Sequence, residues 1–344
     1  MKITPTLEDA RRIAESGRYN VLPVSCELLS DFTIPIETMR ILKNVSTHCY
    51  MLESAQANET WGRYTFLGFD PPMEITCMNG ELKAGNIRIR TDRPSDYLRQ
   101  LLAGYRSPRF EELPPFTGGL VGYFSYDYLG YSEPAVRCQV KDTEDFRDVD
   151  VMLFDKVIAF DNLRQKIVLI VNMPLDDVEV GYNKAVMELK HLAELLRHGE
   201  KKSEPGGRLL GEVTPLFDKE QFCGMVEKAK HYIREGDIFQ IVLSNRLSEP
   251  FEGSLLNTYR VLRTINVLLD SGAGTGTAFD WALIRDIGRP YFLAGGLDAC
   301  SVGGAIRRLH PFAVDVSSGI ETDGHKDVEK MAAFVGAVRK EERA

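Results

Sequence analysis

After Asn266 the chain repeats one local pattern three times, and this repetition limits the possible folds more than any other feature. Val267–Asp270 is a short apolar run, followed by a glycine-rich loop and a helical pattern near 279–285. Tyr291–Ala294 is a second run, with a helical pattern near 302–309, and Ala313–Val316 is a third, with a helix over about 327–339. A strand that is apolar on both faces must be covered on both faces, and a helix returning after each strand sets neighbouring strands parallel. A parallel sheet is therefore expected. Three such units in the 78 residues after Asn266 have the pitch of an eightfold β/α barrel, which takes about 250 residues in all. Only part of such a barrel is expected here.

The residues before Asn266 have a different rhythm. His48–Ser54, Arg63–Gly68 and Asn86–Arg90 read as strands, Pro94–Tyr105 as a helix with one apolar face, and Gly118–Tyr126 as a glycine-rich aromatic strand. Val149–Phe160 and Lys166–Val171 flank Asp161 and Asn162, which predicts a hairpin. A helix follows over about 176–198. The stretch 199–211 mixes charges with Pro205 and the adjacent Gly206 and Gly207, and reads as a linker. Asp218, with Gln221 three residues on, predicts a capped helix start, and Gly236 its end. Ile238–Leu243 then reads as a strand and 254–263 as a helix. The fold class expected is α/β: a mixed α+β, sandwich-like region followed by a partial, three-unit parallel β/α barrel. The divisions fall at 1–198, the linker 199–211, the start of a further domain at 212–266, and the barrel units at 267–344.

A net charge of −8 argues against nucleic-acid and anionic-membrane partners, which need clustered positive charge. No run of 18 uncharged apolar residues occurs, and the first five residues lack a leader's apolar stretch, so a cytoplasmic location is expected. Cys26, Cys49, Cys77, Cys138, Cys223 and Cys300 form no C-x-x-C pair, which predicts reduced and mostly buried thiols; Cys223 falls on the inner face of the expected 218–236 helix. The six histidines show no metal-ligand spacing.

Two sets of motifs carry family resemblances. Leu52-Glu53-Ser54-Ala55, Trp61-Gly62-Arg63-Tyr64, Pro115-Phe116-Thr117-Gly118-Gly119-Leu120-Val121-Gly122-Tyr123 and Gly236-Asp237-Ile238-Phe239-Gln240-Ile241-Val242-Leu243-Ser244 occur in order over residues 1–266. That region resembles the amino-terminal half of anthranilate synthase component I, a chorismate-using enzyme of tryptophan synthesis. Leu268-Leu269-Asp270-Ser271, Gly274-Thr275-Gly276-Thr277-Ala278-Phe279-Asp280-Trp281, Leu293-Ala294-Gly295-Gly296-Leu297 and Val314-Asp315-Val316-Ser317-Ser318-Gly319-Ile320-Glu321-Thr322 make residues 267–344 resemble the carboxy-terminal part of phosphoribosylanthranilate isomerase. The switch falls within a residue or two of Asn266, where the first family would continue into a Pro-Ser-Pro-Tyr segment. A fusion of two partial enzymes is expected, of the kind an in-frame deletion between neighbouring genes would make.

The first resemblance implies that Glu53 and Ser54 bind tryptophan as a feedback inhibitor, a carboxylate pairing with the ligand's ammonium; the residues alone favour instead the end of a strand and the cap of the following turn. It also implies a glutamine amidotransferase subunit as partner. The active site of that family, with its magnesium carboxylates, lies in the half not matched, so no cofactor is expected to be retained. Gly118, Gly119 and Gly122 read as a backbone-tight strand, since no helix start follows them to form a phosphate cradle.

The second resemblance implies that Asp270, at a strand end, is the general acid of an Amadori rearrangement of phosphoribosylanthranilate, and that Asp315 contacts the anthranilate amine. Gly295 and Gly296 after one strand, and Ser317, Ser318 and Gly319 after the next, fall where barrels of this kind hold phosphate. The general base of that family, a cysteine in a Lys-Ile-Cys-Gly segment, has no counterpart in this sequence. Cys223 is followed by Gly224 but sits on a helix. Activity is therefore expected only if the other barrel units come from elsewhere, and open strand edges with exposed apolar surface are expected without them.

Overall fold

Long apolar strands build the first part of the chain. The computed structural model describes residues 1–53, 62–133, 135, 144–265, 268–269, 291–323 and 325–341, and the chain divides into two units, Met1–Ser203 and Glu204–Ala344. The first unit opens with β1 (Ile3–Thr4), α1 (Leu7–Glu15), β2 (Val21–Leu29), α2 (Pro35–Val45), β3 (Cys49–Leu52) and β4 (Tyr64–Phe69). It continues with β5 (Met73–Met78), β6 (Glu81–Ala84), β7 (Ile87–Arg90), α3 (Pro94–Ala103), β8 (Gly119–Phe124) and the single turn α4 (Leu129–Ser132). It closes with β9 (Val149–Phe154), β10 (Lys156–Asp161), β11 (Lys166–Pro174) and α5 (Val178–His198).

These strands form two antiparallel sheets, one of six strands in the order β1-β2-β11-β10-β4-β3 and one of five in the order β7-β6-β5-β9-β8. The faces of β10 explain its uninterrupted apolar sequence. Ile158 and Phe160 join the core under α5, while Val157 and Ala159 join Val168 and Ile170 in a second cluster with Phe66, Leu113 and Phe116. Helix α5 contributes Tyr182, Ala185, Leu189, Leu192 and Leu196 to the first core, a 3-4 spacing that keeps one face inward. Each fully buried Leu or Ile in such a core contributes about 1.5–3 kcal/mol relative to exposure.

The apolar run Val149–Phe160, expected as one strand, is two. Strand β9 belongs to the five-stranded sheet and β10 to the six-stranded one, and Asp155 alone joins them. The Asp155 carbonyl accepts from the backbone N–H of Asn172 at 2.8 Å and from its side-chain amide at 3.0 Å, which ties the junction to β11. The hairpin itself forms between β10 and β11, with Asp161 opposite Lys166. At its turn the carboxylate of Asp161 is 3 % exposed and accepts from Arg63 Nη2 at 2.6 Å, and from the backbone N–H groups of Leu163 and Arg164. Gly118, just before β8, and Gly122, within it, have φ of +147° and +156°. A Cβ on Gly122 would strike the Asp150 carbonyl of the neighbouring strand, so the glycines serve close strand packing.

The second unit begins with short pieces: β12 (Arg208–Leu209), β13 (Thr214–Pro215), α6 (Lys219–Glu235), β14 (Leu247–Ser248), β15 (Phe251–Glu252) and α7 (Leu255–Ile265). Strands β12 and β15 pair antiparallel, as do β13 and β14. The reciprocal cap of α6 forms as expected, Asp218 Oδ1 accepting from the Gln221 N–H at 2.9 Å and Gln221 Oε1 from the Asp218 N–H at 3.0 Å. Gly236 closes the helix at φ +81°. The expected strand over Ile238–Leu243 does not form: Phe239 is 97 % and Val242 83 % exposed. An apolar run becomes a strand only beside another strand's free N–H and C=O groups and under apolar cover, and among the described residues it has neither.

The unit continues with β16 (Leu268–Leu269), β17 (Phe292–Leu293), α8 (Val302–Leu309), β18 (Ala313–Val314), β19 (Glu321–Thr322), β20 (His325–Lys326) and α9 (Val328–Glu341). Strands β16, β17 and β18 form a parallel sheet in that order, with Leu268, Phe292 and Ala313 in one row and Leu269, Leu293 and Val314 in the next. The helix expected near 279–285 lies outside the described residues. The core here gathers Tyr291, Leu293, Leu297, Val302, Ala305, Ile320 and Phe334. Between Glu204 and Leu262, by contrast, only Ala229 and Ser254 are buried among the described residues.

Two of the described cysteines depart from the expected burial. Cys26 and Cys77 are buried, Cys49 is half-buried, but Cys223 and Cys300 are exposed; Cys138 lies outside the described residues. Cys223 is exposed because α6 buries little of its apolar face. Burial pushes the Cys26 thiol up to about 11, so it is an inert core side chain.

Candidate functional site

Parallel pairing brings the carboxyl ends of β17 and β18 to one edge of the second unit. Gly295 and Gly296 follow β17 with φ of +87° and +61°, a left-handed pair that glycine adopts without a Cβ penalty. After β18 the chain forms a tight turn over Ser318–Ile320. A Cβ on Gly319 would strike the Leu297 carbonyl, so the two loops abut and Gly319 is what lets them. Ser317 and Ser318 are exposed at this edge. The loop after β18 thus meets the loop after β17 through Gly319 against Leu297, and the other expected loop residues, Gly295, Gly296, Ser317 and Ser318, flank that contact along the chain.

Asp315 lies just past β18, where its backbone N–H donates to the Leu293 carbonyl at 2.8 Å. Its side chain is exposed, so water rather than a buried partner solvates the carboxylate. Asp270 lies outside the described residues. Glu53 follows β3 in the first unit and is half-buried, and Ser54 lies outside the described residues.

One residue at the second-unit edge carries no sequence signal that singled it out. The Lys326 ammonium donates to the Ser317 carbonyl at 3.0 Å, to Ser317 Oγ at 3.3 Å and to Glu321 Oε1 at 2.6 Å. The hairpin of β19 and β20 sets Lys326 opposite Glu321, which carries the lysine back over the loop. Nine residues separate it from Ser317, and only the fold closes that distance. Nearby, the Ser301 hydroxyl and the backbone N–H groups of Ser301 and Cys300 lower the Asp298 carboxyl below its ordinary value. It stabilises the start of α8.

The edge therefore offers exposed hydroxyls and glycine-lined backbone that can donate to an anion, beside a lysine whose charge is paired with Glu321. Among the described residues no group of three or more His, Cys, Asp or Glu converges so as to hold a metal ion. No helix among them is long and apolar enough to cross a membrane.

Over residues 47–267 the sequence matches the family of chorismate binding enzymes, and the chain belongs to that family. Residues 238–337 match a second family, N-(5'phosphoribosyl)anthranilate (PRA) isomerase, so the two matches share 238–267 and the chain joins the two. Anthranilate synthase component 1 of Acetivibrio thermocellus is 32 % identical over 280 residues, 76 % of this chain and 55 % of that protein. The crystal structure of anthranilate synthase component I from Streptococcus pneumoniae, at 29 % identity, superposes with a TM-score of 0.50 over 69 % of this chain and 52 % of its own. A phosphoribosyl anthranilate isomerase from Thermococcus kodakaraensis is 40 % identical over 24 % of this chain and 44 % of its own, with a TM-score of 0.20. The chain spans about half the length of the curated relatives it matches.

Proposed function

We propose that this is a tryptophan-biosynthetic fusion in which part of anthranilate synthase component I runs into part of phosphoribosylanthranilate isomerase. On this reading the divisions are 1–198, the linker 199–211, 212–266 as the truncated start of a chorismate-binding domain, and 267–344 as three units of a β/α barrel. The protein works in the cytoplasm. The chemistry it retains is isomerisation of phosphoribosylanthranilate. Asp270 protonates the ribose ring oxygen as its bond to C1 opens, a base removes the proton from C2, and the resulting enolamine tautomerises so that the aminoaldose becomes an aminoketose. Asp315 contacts the anthranilate amine, and Gly295, Gly296, Ser317, Ser318 and Gly319 hold the phosphate.

The observation that supports this most is the abutting of the two loops at the carboxyl edge of the parallel sheet, with Lys326 against Ser317. The base and the remaining barrel units would come from a second polypeptide. An acid acting without its base would lose about 10²–10⁴-fold. On this reading no cofactor is retained, since the magnesium carboxylates of the synthase family belong to its other half.

A second reading rests on Glu53, half-buried at the end of β3: the first unit binds tryptophan, or a glutamine amidotransferase subunit, without catalysis. Complementation separates the readings. The gene is placed in hosts lacking the isomerase and, separately, the synthase. Rescue of the isomerase host, lost in Asp270→Asn, is the expected result when the other barrel units are co-expressed. Rescue of neither host under any co-expression leaves a non-catalytic remnant, and tryptophan-dependent thermal stabilisation then tests the Glu53 reading.

A further inference from the structure

The first unit holds a cavity of about 440 Å3 whose walls include Val21, Leu102, Leu153, Tyr105, Asp155 and Asn172. Small-molecule sites are typically about 300–1,000 Å3 and mostly apolar, with a few polar groups at one end. Here Val21, Leu102 and Leu153 supply the apolar walls. The cavity lies away from Glu53. The row of Leu52 runs through Phe66 and Ala159 to Val168, four residues along β11 from Asn172.

The polar end is rich in acceptors. Asp155 Oδ1 is sealed from solvent and has no hydrogen-bond donor. Burial pushes this carboxyl up, and the charge of Lys156 offsets that only in part. The Lys156 ammonium is engaged by Asp70 at 3.3 Å and Glu188 at 3.4 Å. Asn172 spends its side-chain N–H donors on the carbonyls of Thr117, at 2.6 Å, and Asp155, at 3.0 Å. Its side-chain oxygen makes no hydrogen bond among the described residues. Gly118 keeps this end open at the backbone, since a Cβ there would lie 2.6 Å from Asn172 Nδ2 and 2.9 Å from the Phe154 carbonyl. Oδ1 itself is out of a ligand's reach, but Asp155 lines the cavity and its carboxylate has no side-chain donor among the described residues, so an N–H-rich cation is the group that suits its accessible side.

We propose that this cavity binds a small primary amine, its ammonium against Asp155 and the Asn172 side-chain oxygen, its apolar body against Val21, Leu102 and Leu153. The site belongs to the first unit, not to the second unit that carries the isomerase edge, and it does not include Glu53. Three probes of similar size test it on the full chain by calorimetric titration: 2-phenylethylamine, the neutral 2-phenylethanol and the anionic 3-phenylpropanoate. The amine should bind about tenfold or more tightly than the alcohol, and the anion not at all. Asp155→Asn should bring the amine down to the alcohol's affinity. Leu102→Arg, at a position 43 % exposed, should abolish amine binding by placing a guanidinium at the carboxylate, and it decides the matter if Asp155→Asn does not fold. Equal binding of amine and alcohol by the wild-type chain, or amine binding unchanged in either folded variant, overturns the proposal. Tryptophan stabilisation that survives Asp155→Asn bears only on Glu53.

Discussion

Arg63 sits in one of the motifs that point to the synthase family, yet its contacts are structural. Its guanidinium grips Asp161 through Nε and Nη2, with Nη2 at 2.6 Å from Oδ2. Burial raises the Asp161 carboxyl, but Arg63 and two backbone N–H donors outweigh burial and leave it below its ordinary value. Arg63→Met would strand a buried carboxylate and should cost about 2–4 kcal/mol in urea unfolding at pH 7, toward the lower end of buried pairs because Arg63 is a quarter exposed. The sign with pH follows from the depressed value. The contribution is full above the unfolded carboxyl's ordinary value of about 3.9 and is lost as pH falls through the folded one. The stability gap between wild type and variant should therefore narrow at pH 3. A gap that stays constant from pH 7 to pH 3 would contradict the ion-pair assignment. Nothing local in the sequence links Arg63 to Asp161, 98 residues away; the pairing follows from β4 lying beside β10.

At the scale of elements, β8 shows how a glycine sequence is read by its neighbour. Gly122→Ala would drive a Cβ into the backbone of Asp150, which cannot swing aside as a side chain can, at a φ of +156°. It should destabilise the first unit by about 3 kcal/mol or more. Gly17→Ala, at φ +63° with open space around it, should cost only about 1–2 kcal/mol, and urea midpoints of the two variants separate clash from strain. The elements legible in advance were those set by neighbouring residues. The Asp218–Gln221 cap, the helix α5 and the parallel β16-β17-β18 sheet all follow from local spacing. What was not legible depended on distant partners. The break at Asp155 is hidden in a continuous apolar run because both halves are buried, each in a different sheet. The run over 238–243 has strand composition but no ladder to join. At the candidate site, glycines and serines marked the two loops, whereas Lys326 reached Ser317 only through a hairpin that the sequence did not announce.

For the whole molecule, apolar burial is unevenly distributed. The first unit encloses continuous cores on both faces of its six-stranded sheet, while Leu209, Leu216, Phe239, Val242, Leu247 and Leu255 of the second stand exposed. The purified chain should bind a hydrophobic dye and self-associate as concentration rises. The double variant Phe239→Glu, Val242→Lys should lower dye binding and raise the monodisperse fraction in light scattering, with the melting of the first unit unchanged. Unaltered dye binding in that variant would locate the sticky surface elsewhere. The exposed Ile238–Leu243 run also has a meaning inside a cell. Short uncharged apolar segments accessible in the native state are what holdases and regulated proteases grip, and they do so without waiting for global unfolding. The abundance of this protein would then be governed by turnover at this segment rather than by how firmly its first unit is folded.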